Sequence, residues 1–249
     1  VVSVTKNLRA SGHDVTLVGV STDGPNAKEH GGANRAMESM NLDYVELYDI
    51  GYDGDVIDVP VEFGHLLLDR YEPDRILVGC AYDQTRTQFG VDEAVIAAGT
   101  ERGIRSVQCI EVWEVWHPRV HHVVPTAYAV LDTYTRNIMI ARGAESERIN
   151  VTGHGGLDDY ADPSSTRNEN YRQALEIAEN ERLLVYFGQA PDAQKRPNMR
   201  ETLGWVVDCL QPNDRLIYAA HPRNPFDYSD ILRRARSQVI TTDLNSPQL

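Results

Sequence analysis

The chain has 249 residues, 41% of them hydrophobic and 24% charged, with a formal net charge of -13. That composition is ordinary for a globular protein and argues against long disorder or a fibrous repeat, while the length allows one large core or two modest ones. The negative charge opposes a nucleic-acid backbone, and the lysines and arginines are scattered rather than gathered in a stripe, so no nucleic-acid partner is expected.

No apolar run approaches the ~18 residues of a membrane span. The opening VVSVTKNLRASGHD lacks the basic start, apolar block and cleavage site of a secretory signal. A cytoplasmic chain is therefore expected, with any membrane association arising only from segments outside this stretch. Cys80, Cys109 and Cys209 are odd in number and widely spaced, so they form neither a disulfide framework nor a metal knuckle. They are expected to be reduced, buried small hydrophobes.

In chain order, residues 1–10 place Val1, Val4 and Leu8 on one side of a predicted helix, which Gly12 ends in a left-handed conformation. Strands are predicted at VTLVGV (15–20), DYVELY (43–48) and RILVGC (75–80). Between the last two, Asp49, Asp53, Asp55 and Asp58 crowd a turn whose spacing does not match a calcium loop, so it reads as a solvated acidic turn. A helix follows over 87–102, with Val91, Ala94, Val95 and Ala98 at helical spacing before Gly103. Then come strands SVQCIEV (106–112), YAVLD (128–132) and INVTG (149–153). Their two-sided apolar character and the alternation with helices predict right-handed crossovers and a doubly wound parallel sheet.

The segment DDYADPSSTRNEN (158–170) has no apolar periodicity and is the best linker candidate. The pattern then restarts with helix RQALEIA (172–178), strand LLVYFG (183–188) and a helical stripe of Met199, Leu203, Val206, Val207 and Leu210. Strand RLIYAA (215–220), helix FDYSDILRRA (226–235) and strand QVITT (238–242) complete it. The expected architecture is α/β, with two Rossmann-like parallel-sheet halves over residues 1–160 and 161–249, the second incomplete. The chain opens inside a helix with no preceding strand or phosphate-binding glycine turn, so the natural protein is expected to extend at both ends.

Two segments carry a family likeness. VLDTYTRNIMIARGAESERINVTGHGGLDDY (130–160) resembles the end of the first domain in GT-B fold enzymes, which often show a strand ending in Asp or Ser, a helix closing at glycine, and "ERI-V-TG". IYAAHPRNPFDYSDILRRA (217–235) is similar to the "HP-R" segment of glycosyltransferases and nucleotide-sugar 2-epimerases of that fold. With SGHDVTLVGVSTDG (11–24), the likeness spans most of the chain. Two departures stand out: Gly153-His154-Gly155-Gly156 replaces the usual small residue and Pro after TG, and the acidic pair that holds the ribose in many retaining members would lie beyond Leu249. The resemblance implies a nucleotide-diphosphate sugar as partner, with no cofactor.

In doubly wound sheets ligands sit beyond the carboxyl ends of the strands, so the exit loops are searched first. After RILVGC, Asp83 serves as a general base or sugar ligand, or else caps the next helix. After SVQCIEV come Trp113, Glu114, Trp116 and His117. Aromatic faces stack on sugar rings while Glu114 or His117 takes a proton; the rival reading is that the tryptophans only close a core. His117, His121 and His122 lack a third-ligand pattern, so no metal is assigned. Gly153 and His154 offer backbone amides and an imidazole to a diphosphate, or else form a hinge.

His221 and Arg223 are the first choice for the donor site, because Arg pairs with phosphate through two hydrogen bonds; the ordinary reading is a solvated surface pair. Gly188 and Gln189 would face the same ligand. His221 and Arg223 are expected to look across an interdomain gap. Neither GxGxxG, GxxxxGK[ST] nor GxSxG occurs, which lowers dinucleotide, P-loop and serine-hydrolase readings.

The leading expectation is a glycosyltransferase-like enzyme. Its donor would be held by the second half, and its acceptor would lie near Tyr82, Asp83, Glu114 and His117. The alternatives are a nucleotide-sugar 2-epimerase and a non-catalytic member that binds a nucleotide sugar or a protein.

Overall fold

A computed structural model describes residues 2–19, 37–38, 41–52, 59–79, 90–113, 115–118, 123–157, 172–173, 175–188, 199–220, 227–235 and 238–243. The chain divides into two compact units, Val1–Asp162 and Pro163–Leu249.

The first unit begins with helix α1 (Val2–Ala10), followed by Gly12 at φ +87°. Strands β1 (Val18–Gly19) and β2 (Val45–Glu46) form a short parallel pair. Both are shorter than the six residues the apolar runs suggest, and Tyr48–Ile50 turns into a 3-10 helix instead. Helix α2 (Val61–Tyr71) has no counterpart among the predicted elements, although Phe63, Leu67 and Leu68 lie on one face at helical spacing.

The main sheet follows. β3 (Arg75–Val78), β4 (Arg105–Ile110), β5 (Ala127–Val130) and β6 (Ile149–Val151) are all parallel and lie side by side in sequence order. Helix α3 (Val91–Glu101) links β3 to β4, and α4 (Thr133–Ala141) links β5 to β6. Crossovers of one hand that step in one direction place their helices on one face. The packing agrees: Ile76 and Val78 meet Ile96 and Ala98 of α3, while Ile110, Tyr128, Val130 and Ile149 meet Met139 of α4.

Register puts Val78, Gln108, Tyr128 and Ile149 in one row across this face. Gln108 is 1% exposed, and its side-chain amide has no hydrogen-bond partner among the described residues. At the other end of β4, Ser106 and Thr126 exchange backbone-to-hydroxyl hydrogen bonds of 3.1 and 3.2 Å, tying the entries of β4 and β5.

Helices α2 and α3 pack closely because Gly64 lacks a side chain: a Cβ there would sit 2.7 Å from the Ala94 carbonyl carbon and 3.0 Å from the Ala98 Cβ. A polar clasp closes the exposed side of this pair. Arg102 donates to Asp69 at 2.6 Å and through Nε to His65 Nδ1 at 3.1 Å. Nδ1 is thereby the acceptor, and His65 Nε2 presents its proton to Glu101 at 3.0 Å.

The second unit holds a parallel sheet of β7 (Arg182–Phe187), β8 (Asp214–Ala220) and β9 (Gln238–Asp243), in that order. Helix α5 (Met199–Cys209) covers one face with Leu203 and Val207, against Leu216 and Tyr218 of β8. Cys209 is exposed and Cys109 buried, so the expectation of uniformly buried thiols is corrected: Cys209 falls on the outward side at the end of α5. Cys80 lies outside the described residues.

Two predicted helices are corrected as well. Over 172–178, only Arg172 and Gln173 are helical among the described residues, and Glu176 turns to φ +53°. Arg172 donates to the Ala178 and Glu181 carbonyls at 2.8 and 2.9 Å and the Ala178 amide to the Glu181 carboxylate at 2.8 Å, so the chain bends into β7 and seats Ile177 in the core. Over 226–235, helix α6 spans only Ser229–Leu232. Its start is fixed where the Asp227 carboxylate accepts from the Ser229 amide at 2.8 Å.

Paired charges clamp the lower end of this sheet. Asp214, 3% exposed, accepts from Arg182 Nε and Nη2 at 2.8 Å each and from the Gln211 amide at 2.7 Å. Buried Arg215 donates to both Glu181 oxygens at 2.8 and 2.9 Å. The Arg182 guanidinium holds the Asp214 carboxyl below its usual range, and Arg215 does the same for Glu181. A carboxyl with a depressed folded pKa contributes stability that is complete above the unfolded value and is lost as pH falls through the folded one. The unfolding temperature is therefore expected to drop as pH falls below about 5. Asp214→Asn should lower it at neutral pH and flatten that acid limb in thermal melts; an equally steep limb would refute the assignment.

Candidate functional site

The carboxyl edge of the main sheet gathers the exit loops of β4, β5 and β6. Asp132 follows β5 and caps α4: Oδ1 accepts from the Thr135 amide at 2.7 Å and from its hydroxyl at 2.8 Å. Its second oxygen accepts from the Trp113 indole Nε1 at 2.7 Å, so the β4 exit loop is tied to the neighbouring strand end. These donors, the indole first, hold the Asp132 carboxyl below its usual range. Beyond β6 the Thr152 amide donates to the Val130 carbonyl at 2.9 Å, and Gly153 turns at φ +84°, a conformation that disfavours a side chain.

The two tryptophans have opposite surroundings. Trp113 is 61% exposed, next to an equally exposed Val112. Trp116 is 4% exposed, stands edge-on to Tyr128 with ring centres 6.1 Å apart, and donates its indole N–H to no described residue. Arg142 from the end of α4 donates to the Trp116 carbonyl at 2.6 Å and holds this part of the loop down. The core-closing reading thus fits Trp116 and does not fit Trp113.

Of the residues singled out from sequence, His117 is half-buried on the same loop, and His154 is half-buried with its carbonyl accepting from Leu157 at 2.8 Å. Gly155 serves packing, since a Cβ there would stand 3.2 Å from the Val4 side chain of α1. In the second unit Gly188 is buried, and its amide donates to the Ala219 carbonyl at 2.7 Å. That amide is therefore engaged in the sheet and is not open to a ligand. Tyr82, Asp83, Glu114, His121, His122, Gln189, His221 and Arg223 lie outside the described residues, as does the predicted linker.

The second unit also carries an open surface groove of about 370 Å³ between α5 and α6, lined by Gly204, Trp205 and Ile231 among others. It lies on helices, not at strand ends. Sequence reasoning did not single out Asp132, although an Asp between a strand and a helix-period segment is a recognisable N-cap signal.

Parallel Rossmann-like sheets in each of two units define the class: this is the fold of the GT-B nucleotide-sugar enzymes. A Listeria monocytogenes protein, given provisionally as a UDP-N-acetylglucosamine 2-epimerase, is 13% identical with a TM-score of 0.62, over 98% of this chain and 65% of that one. The UDP-GlcNAc 2-epimerase of Methanocaldococcus jannaschii, solved with UDP-GlcNAc and UDP, is 16% identical at 0.54, over 97% and 69%. A glycosyltransferase from Rickettsia africae ESF-5 is 12% identical at 0.61, over 98% and 64%. The chain spans about two thirds of the length of these proteins. Likeness at this identity establishes the fold and leaves the reaction open. No protein-family model and no curated protein sequence matches the chain.

Proposed function

We propose that the protein is an enzyme acting on a nucleotide-diphosphate sugar, whose sugar it transfers to an acceptor. The observation that carries this reading is the GT-B fold likeness over nearly the whole chain, joined to an edge of the first sheet that presents aromatic and acidic side chains. The second unit holds the donor, with Arg223 and His221 on the diphosphate and the backbone near Gly188 and Gln189 beside it. Gly153 and His154 are further diphosphate candidates. Arg223 would stabilise the charge that develops on the leaving diphosphate. Asp83, Glu114 and His117 serve the acceptor in the first unit, where one of them takes the proton from the attacking hydroxyl.

A 2-epimerase is the second reading, favoured by the two epimerase structures among those compared above. It would move a proton on the sugar through acidic residues and need no acceptor. The two readings separate in one assay: nucleoside diphosphate release from a panel of donors, with and without acceptors, using the full-length protein. Release only with acceptor supports transfer, and a product sugar formed without acceptor supports epimerisation. Tight binding with no turnover would refute both. Arg223→Ala is expected to weaken donor binding by about 1.5–3 kcal/mol, the worth of a hydrogen bond to a charged group; unchanged affinity by calorimetry would remove Arg223 from the site.

A further inference from the structure

Trp113 combines two properties that folding alone does not call for. The residue is 61% exposed, so little apolar area leaves water, yet its Nε1 is fixed on Asp132 at 2.7 Å. Holding an exposed side chain in one rotamer costs conformational entropy without a matching gain in burial. Asp132 does not need this bond to cap α4, because Oδ1 alone serves both Thr135 donors. The second carboxylate oxygen holds the indole, the largest of the interactions that lower the Asp132 pKa, with the Tyr134 amide a lesser donor to the same carboxylate. The place is the carboxyl edge of a parallel sheet, where α/β proteins bind their ligands.

We propose that Trp113 is a stacking platform for a pyranose ring and that Asp132 is the positioning residue that holds it. The C–H face of a pyranose is apolar and packs on an aromatic ring, while its hydroxyls need polar neighbours around the rim. The ionisable groups described on the β4 and β5 exit loops are Glu111, His117 and Asp132. The two carboxylates, Glu111 and Asp132, are acceptors of the kind that saccharide hydroxyls need; Arg119 of the same loop lies outside the described residues, and Arg142 at the end of α4 donates to the Trp116 carbonyl. The occupant proposed for Trp113 is the acceptor sugar, and the UDP arm of the test below separates it from the nucleotide. In naming a saccharide, this inference rests on the function proposed above.

The test uses the full chain with 15N-labelled tryptophan, whose indole N–H signals from Trp113, Trp116 and Trp205 are assigned by substitution. The probes are methyl glycosides of glucose, galactose and N-acetylglucosamine, then UDP, then UDP-N-acetylglucosamine. Glycosides are expected to shift the Trp113 signal, and UDP alone is not. Trp113→Ala should weaken glycoside binding about 3- to 10-fold, in line with an aromatic stacking contact.

Asp132→Asn keeps the capping oxygen toward Thr135 but turns an N–H donor toward the indole N–H, so it should loosen the ring and weaken glycoside binding about threefold while α4 stays folded. In a Trp113→Phe background, which has no N–H to anchor, Asp132→Asn should have no further effect on affinity. Glycosides that bind without moving the Trp113 signal, or an Asp132→Asn effect that persists in the Trp113→Phe background, would overturn the proposal.

The readouts separate the two ideas. UDP binding with glycosides silent leaves the nucleotide-sugar reading standing and ends this one. A Trp113 shift with no nucleotide binding does the reverse, and no binding of any probe ends both.

Discussion

Trp116→Ala is expected to destabilise the first unit by about 3–5 kcal/mol, the usual cost of emptying a large aromatic site in a core. Trp116 closes the cluster formed by Ile110, Tyr128, Val130 and Met139, and nothing else described in the β4 exit loop except Val115 fills that space. Trp113→Ala, three residues away, should cost far less, because its ring gives up little buried area. Trp116→Phe should cost less than the lost volume implies. The buried indole N–H has no partner among the described residues, and removing it relieves a desolvation penalty of about 1–3 kcal/mol. Denaturant unfolding of the three variants checks the ordering; equal losses for Trp113→Ala and Trp116→Ala would show that the two rings share one environment.

The second large effect is expected at Gly64. A Cβ there overlaps the Ala94 carbonyl, a backbone group that cannot rotate away, so α2 and α3 must separate. Overpacking of this kind costs about 1–3 kcal/mol, and Gly64→Val should reach about 3 kcal/mol or more, with Gly64→Ala below it. For a chain of this size each kcal/mol lowers the unfolding temperature by about 2–4 °C. Gly204→Ala is the control, because a Cβ there meets nothing within 4 Å and sits in a helix where alanine is the better former. A melt in which Gly64→Ala is as stable as the wild type would mean that the helices are not packed through this glycine.

Much of the α/β pattern was legible in the sequence. The runs at 75–80, 106–112, 183–188 and 215–220 became β3, β4, β7 and β8, because apolar runs of this length suit strands of a parallel sheet; β8 is buried almost throughout, whereas Val185 and Phe187 of β7 are exposed, against the expectation of burial on both faces. The stripe from Met199 to Leu210 became α5 for the same kind of reason. Where local preference was weak, neighbours prevailed. RQALEIA has good helix formers, but Arg172 captures two carbonyls and Glu181 an amide, and the segment bends into a turn before β7. The runs at 15–20 and 43–48 pair with each other over only two residues apiece.

The candidate site was legible in kind more than in detail. Sequence marked the β4 exit as rich in aromatic and acidic residues, and it left open whether the tryptophans bind or merely pack. Composition, apolar periodicity and strand–helix alternation by themselves determined the fold class, since it depends on short-range preferences repeated many times. Only the tertiary structure separated Trp113 from Trp116, engaged the Gly188 amide in the sheet and enlisted Asp132. Each of those outcomes depends on what a neighbouring strand brings alongside, and strand register places together residues far apart in the chain.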